Sequence, residues 1–210
     1  IYLHIAALHT VGSNNPDGVE IKQNKDNDGK PVDGIPFHPY YTVKDIFGLA
    51  VFLTIFMFVV FFLPEFGGFF LEKDNFVPAD PLKTPEHIVP VWYFTPFYAI
   101  LRAIPDKLGG VIAMFGSILA LGLLPWLDTS KVRSCLFRPI WRVCVLLFAV
   151  NFLVLMYVGG KPADDIYVLV SRIGTAYWFL FIFVLAPLVG FLETPRQPLT
   201  ITNYLQSKKA

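Results

Sequence analysis

The sequence predicts an all-α fold: a polytopic bundle of transmembrane helices with a structured outer loop that carries short amphipathic helices. Three observations lead there. Hydrophobic residues make up 55% of the chain and charged residues only 16%, less charge than the surface of a water-soluble domain of this size needs. Four nearly uncharged apolar runs, Ile46 to Leu63, Leu108 to Leu127, Val143 to Val158 (extended backwards through Leu136) and Ile173 to Leu192, fit the about 18 residues that cross a bilayer core as a helix. Lys and Arg are unevenly shared among the loops between them, as they are in oriented membrane proteins.

In chain order, the first element is the apolar stretch Ile1 to Val11, too short to span. It opens without an initiator Met, a charged leader or a small-residue cleavage site, so upstream sequence is expected and no signal peptide is read. Residues 1–11 are taken as the end of a transmembrane helix and 12–41 as an inner loop, with a turn-rich exit at Gly12 to Gly18 and a charged excursion from Glu20 to Gly34. A helix follows over 42–64, with Thr42 as N-cap and Asp45 completing a capping box and Pro64-Glu65 ending it. The connection 65–107 is too rich in Trp, Tyr, Phe and Pro for a floppy linker, so it should fold against the membrane and carry function. Helices are then expected over 108–127, 137–158 and 167–192, with an inner loop at 128–136, an outer loop at 159–166 and an inner tail at 193–210.

Charge orients these elements. The stretch Asp128 to Arg142 holds Lys131, Arg133, Arg138 and Arg142, and the tail holds Arg196, Lys208 and Lys209, whereas the loop after Val158 has only Lys161. The 12–41 and 128–136 loops and the tail are therefore inside, and 65–107 is outside. A net charge of +1 gives no sign of a nucleic-acid partner. Cys135 and Cys144, nine residues apart at a helix entrance, read as structural residues rather than as a disulfide or metal site.

Chemistry begins at His4 and His9. Five helical residues turn a side chain by about 140° and move it about 7.5 Å along the axis, so the two rings do not share a face and cannot form an i, i+4 metal clamp. His4 lies deeper in the bilayer and His9 near the inner surface. An imidazole at depth needs a partner, which leaves two readings of His4: an axial haem ligand or an interhelical hydrogen bond.

The stretches His4 to Gly18 (HIAALHTVGSNNPDG), Phe37 to Asp45 (FHPYYTVKD), Pro90 to Arg102 (PVWYFTPFYAILR) and Pro105 to Gly110 (PDKLGG), with Phe137-Arg138-Pro139 and Gly159-Gly160-Lys161-Pro162, together resemble cytochrome b, and the likeness covers essentially the whole chain. It implies the carboxy-terminal half of the haem-carrying subunit of a quinol:cytochrome c oxidoreductase. By that resemblance His4 is a ligand to one of two b haems, the other ligand lying on an upstream helix. His9, Ser13, Phe37 and Asp45 line an inner quinone-reduction site, where His9 and Asp45 relay protons; capping remains the other reading of Asp45. Tyr40, Tyr41 and Lys44 are interfacial anchors in a region that resembles an anionic-lipid site.

Pro90, Val91, Trp92 and Tyr93 resemble the quinol-oxidation motif, in which a Pro opens a short helix and aromatic rings wall the pocket, with Phe94 and Tyr98 beside it. Without the resemblance, Phe94, Tyr98 and Arg102 would read as an amphipathic surface helix. The motif commonly has Glu in its second position. Val91 cannot accept a proton, which leaves water or Glu86 for that task, and it makes the chain more like the bacterial variants. The expected location is thus a bacterial inner membrane, with the mitochondrial inner membrane as the alternative. Implied partners are the Rieske iron-sulfur protein, cytochrome c1, the upstream half of cytochrome b and membrane lipid, in a dimeric complex. A different class also fits the residues alone: a non-catalytic transport or scaffold protein whose histidines only pair helices.

Overall fold

A computed structural model describes residues 1–71, 76–83 and 88–209. The chain divides into two compact units, Ile1–Val32 with His87–Ala210, and Asp33–Glu86, and each is described by itself. Among the described residues four helices are long and apolar enough to cross a membrane: Tyr40–Phe62, Lys107–Leu127, Pro139–Gly159 and the composite Asp165–Leu192.

The larger unit starts with α1 (Tyr2–Val11), which ends at Gly12 with φ 71°, a left-handed conformation that favours glycine. Beyond it, the charged excursion has structure of its own. A 3-10 turn forms at Ile21–Gln23, an isolated bridge joins Lys25 to Pro31, and Val19 is buried.

The remaining helices form a bundle. Helix α3 (Thr95–Ala103) packs on α4 (Lys107–Leu127), α5 (Pro139–Gly159) and α6 (Asp165–Leu180). A π-helical segment, Phe181–Leu185, joins α6 to α7 (Ala186–Leu192). Pro187 has no N–H for the ordinary bond to Phe183, and the wider turn accommodates this by having the Ala186 N–H donate to the Phe181 carbonyl. The core joins Ala99, Ile100, Ala120, Leu155, Val158, Trp178, Phe181 and Ile182. The Phe148 ring stacks on Phe181 at 4.2 Å and lies 4.7 Å from Trp178, whose indole N–H donates to the Ser117 carbonyl at 3.3 Å. A short helix, α8 (Ile201–Ser207), capped by Thr200, closes the chain.

Both ends of α5 are tied by side chains from distant segments. At its start Pro139 has no N–H to satisfy, and the next two N–H groups, of Ile140 and Trp141, donate to the two carboxylate oxygens of Glu193 at 2.8 Å each. Beside them Arg138, 1% exposed, donates through both terminal nitrogens to Asp128 at 2.7 Å and lies 4.8 Å from the centre of the Trp141 ring. At the other end, Arg102 donates to the carbonyls of Lys161 at 2.7 Å and Val158 at 2.8 Å. The Thr95 hydroxyl sits 2.8 Å from the Met156 carbonyl and 2.7 Å from that of Trp92. Gly159 makes the approach possible, since a Cβ there would collide with the Thr95 carbonyl.

The smaller unit holds α2 (Tyr40–Phe62), which buries none of its residues, and a 3-10 turn at Phe66–Gly68. The expected capping box is not formed. Pro39 occupies the N-cap position without a side-chain cap bond, so Thr42 and Asp45 lie inside the helix, and the Thr42 hydroxyl is 3.3 Å from His38 Nδ1. The cyclic Pro39 starts the helix because its φ of −89° and ψ of −9° are already near-helical.

Three variants, one of them a control, check these ties through the stability of the purified protein. Gly159→Ala should lower stability by about 1–3 kcal/mol through overpacking. Gly116→Ala, with nothing within 4 Å of the added methyl, should be neutral or stabilising by up to about 1 kcal/mol. Replacing Glu193 by Gln leaves one acceptor and one donor facing two N–H groups, and should cost about 1.5–3 kcal/mol in thermal or denaturant unfolding.

Candidate functional site

The aromatic motif forms a 3-10 turn, Trp92–Phe94, that runs directly into α3. Trp92 and Tyr93 meet edge to face at 5.4 Å, and Tyr93 and Phe94 lie 4.8 Å apart. All three rings are exposed over about half their surface (44%, 51% and 49%). The expectation that Pro90 opens the helix is corrected. Pro90 precedes the turn, Val91 is its N-cap residue, and the proline in the first turn of α3 is Pro96. Tyr98 is half-buried, with the Arg102 guanidinium 4.8 Å from its ring centre. Because Arg102 also holds the end of α5, the ring has a fixed support. Glu86 lies outside the described residues.

The motif Pro105 to Gly110 resolves into structural roles. The Asp106 carboxylate caps α4 by accepting from the Gly109 N–H at 2.6 Å, and Gly110 is packed where a Cβ would lie 2.5 Å from the Leu101 carbonyl. This short connection holds α3 against the start of α4.

His4 and His9 are both exposed on α1. Ala7, three residues after His4, shares its helix face, and so small a side chain leaves room for a flat macrocycle beside the imidazole. No group of three or more His, Cys, Asp or Glu side chains gathers to hold a metal ion among the described residues. The exposed His4 imidazole beside a small residue has the chemistry of a single ligand that a haem iron would take. His9 and Ser13 belong to the larger unit, whereas Phe37 and Asp45 belong to the smaller one. Within it Phe37 stacks on Tyr41 at 6.0 Å, Lys44 lies 5.9 Å from the Tyr41 ring, and Asp45 is exposed.

Sequence reasoning missed Thr95 and the Asp128–Arg138–Glu193 group. The Gly159-Gly160 doublet was a signal for the first, because paired glycines at a helix end often mark a close backbone approach. For the second, the Phe137-Arg138-Pro139 motif marked Arg138 by resemblance, but nothing local names Asp128 and Glu193 as the carboxylates that meet it and the start of α5.

The family model described as cytochrome b (C-terminal)/b6/petD matches residues 78–179. The cytochrome b of Rhodospirillum rubrum is 54% identical over 204 residues, covering 97% of this chain and 48% of that protein. That of Allochromatium vinosum is 53% identical over 202 residues, covering 92% and 49%. A solved chain of a hyperthermophilic respiratory Complex III superposes with a TM-score of 0.78 at 36% identity, over 91% of this chain and 47% of its own. The chain spans about half the length of the curated relatives it matches. With identity above half over nearly its full length, a superposable fold and four helices suited to crossing a membrane, the chain belongs to the cytochrome b family of multi-pass membrane proteins, as its carboxy-terminal region.

Proposed function

We propose that this chain works within a respiratory quinol:cytochrome c oxidoreductase, oxidising quinol at the α3 end of the bundle and reducing quinone at the basic end. The observation that carries the reading is the turn Trp92–Phe94, three half-exposed rings set at the end of the bundle on a clamped helix. Family membership and the likeness to a solved Complex III chain support it.

A quinol is a flat ring with two hydroxyl groups. Stacking against aromatic walls buries its faces, and a few polar groups orient the hydroxyls. Pro90, Trp92, Tyr93 and Phe94 supply the walls, and Tyr98 supplies a ring with a phenolic hydroxyl. Val91 accepts no proton, so the protons of oxidation leave to water or to Glu86. By the family resemblance, the His9 imidazole and the Ser13 hydroxyl hydrogen-bond the quinone oxygens, Phe37 packs on the ring, and Asp45 passes protons from water. Each quinol oxidised at one end releases two protons and two electrons; one electron passes to the partner proteins and the other crosses to the quinone-reducing site, where two such electrons and two protons reduce one quinone, so protons are released on one side of the membrane and taken up on the other. Haem b, when bound, supplies one-electron transfer between the two ends, and His4 is the residue of this chain that would hold an iron. A Rieske iron-sulfur protein and cytochrome c1 take onward the one electron per quinol that does not cross, in a dimeric complex of a bacterial inner membrane.

Low-temperature optical spectra of the assembled complex test the haem assignment. His4→Leu should remove one b-type band and leave another, and retention of every band rejects it. For quinone reduction, Asp45→Asn should slow the step by about a hundredfold or more, with quinol oxidation at the α3 end unchanged. Since Asp45 makes no cap bond, stability should not move, and unaltered quinone reduction would remove Asp45 from the proton path.

A further inference from the structure

Thr95 stands at the junction between the aromatic turn and the bundle. It follows the turn Trp92–Phe94 directly, is the first residue of α3, and is only 5% exposed. Its backbone N–H and its hydroxyl both donate to the Trp92 carbonyl, the hydroxyl at 2.7 Å. The same hydroxyl lies 2.8 Å from the Met156 carbonyl, in the last turn of α5. One hydroxyl hydrogen is thus shared between two carbonyls, one in the turn and one in a helix 61 residues along the chain from Thr95.

The Met156 carbonyl can take part because α5 ends just after it. The Gly160 N–H, which a continuing α-helix would give to Met156, donates to the Tyr157 carbonyl at 3.2 Å instead. The turn does not need the hydroxyl in order to form. Its own backbone bonds close it, from the Phe94 N–H to the Val91 carbonyl at 2.8 Å and from the Thr95 N–H to the Trp92 carbonyl. What the hydroxyl adds is a tie from the turn to α5. A peptide group is planar, so holding the Trp92 carbonyl oxygen holds the whole plane that joins Trp92 to Tyr93, the backbone from which both rings project.

On the reading of the aromatic turn as the quinol-oxidising site, we propose that Thr95 is a positioning residue for that reaction: its hydroxyl, shared between the Trp92 and Met156 carbonyls, aims the aromatic walls at the ring of the bound quinol. Thr95 touches no reacting atom and acts through Trp92 and Tyr93. A displacement of about 1 Å can cost on the order of a hundredfold in rate, so even a small shift of the turn is measurable.

The test follows the first turnover of quinol oxidation by the assembled complex against quinol concentration, expressed per b haem, together with the unfolding temperature. Thr95→Val keeps the shape of the side chain and removes its donor. The limiting rate should fall by about tenfold or more, while the half-saturating quinol concentration changes by less than about threefold, because the aromatic walls remain. Thr95→Ser keeps the hydroxyl and should restore the rate. Thr129→Val removes a different tie, the hydroxyl bond to the Pro187 carbonyl at 3.1 Å at the opposite end of the bundle, and should leave the limiting rate unchanged. If Thr95→Val does not assemble, Thr95→Cys, with a much weaker donor, takes its place under the same expectation. An unchanged limiting rate in Thr95→Val with a lower unfolding temperature would overturn the assignment, as would a Thr95→Ser variant slowed as much as Thr95→Val. Trp92→Leu separates the positioning role from the site itself. Slowed oxidation in Trp92→Leu beside a normal rate in Thr95→Val removes the role of Thr95 alone, whereas normal oxidation in Trp92→Leu removes the aromatic turn from the site and the role with it.

Discussion

The backbone polar groups at the two ends of α5 are the constraint on which the bundle depends. A helix leaves unpaired N–H groups at its start and unpaired carbonyls at its end, and near a bilayer these cannot rely on water as they do in a soluble protein. Here the N-terminal pair is satisfied by Glu193, and the C-terminal carbonyls by Thr95 and Arg102. Each partner lies more than 50 residues away in sequence, so satisfying α5 also positions α7 at one end and α3 at the other. The aromatic turn is continuous with α3 and inherits its placement.

Arginines therefore serve two purposes that loop charge alone does not separate. Arg138 contributes to the inner-side charge count, yet it is buried on Asp128 and Trp141. Arg102 and Arg172 lie at the opposite end and donate to backbone carbonyls, the latter to Ala103 at 3.0 Å. At the basic end Lys131 and Arg133 are exposed and, with Lys22, line a polar cavity. Guanidinium groups suit the buried positions because a planar fork can meet several acceptors at once and is weakly hydrated for its charge.

Close approach is made possible by small side chains. Gly159 against Thr95, Gly174 against Leu155 and Gly190 against Thr129 each sit where a Cβ would collide. Lipid is as apolar as the helices, so the association of α3 to α7 rests on tight packing and on hydrogen bonds between helices rather than on escape from water. Large aromatic rings then fill the space between these contacts, with Trp178 and Phe181 at the centre.

Composition and the four apolar runs determined the helical membrane class, because both follow from the thickness and dryness of a bilayer, which any spanning segment must meet by itself. The resemblance of short motifs determined the family, and the curated relatives bear it out over nearly the whole chain. Helix boundaries depended on less visible chemistry. Thr42 and Asp45 had the spacing of a capping box, but the helix starts before them at Pro39, and the Phe37 carbonyl accepts from the Tyr41 and Thr42 N–H groups, the task a side-chain cap would otherwise perform. Only the tertiary structure decided that Arg138 is a buried anchor while Lys131 is exposed, and that Thr95 reaches Met156. Those roles are contacts between residues far apart in the chain, and sequence spacing encodes only which neighbours share a helix face.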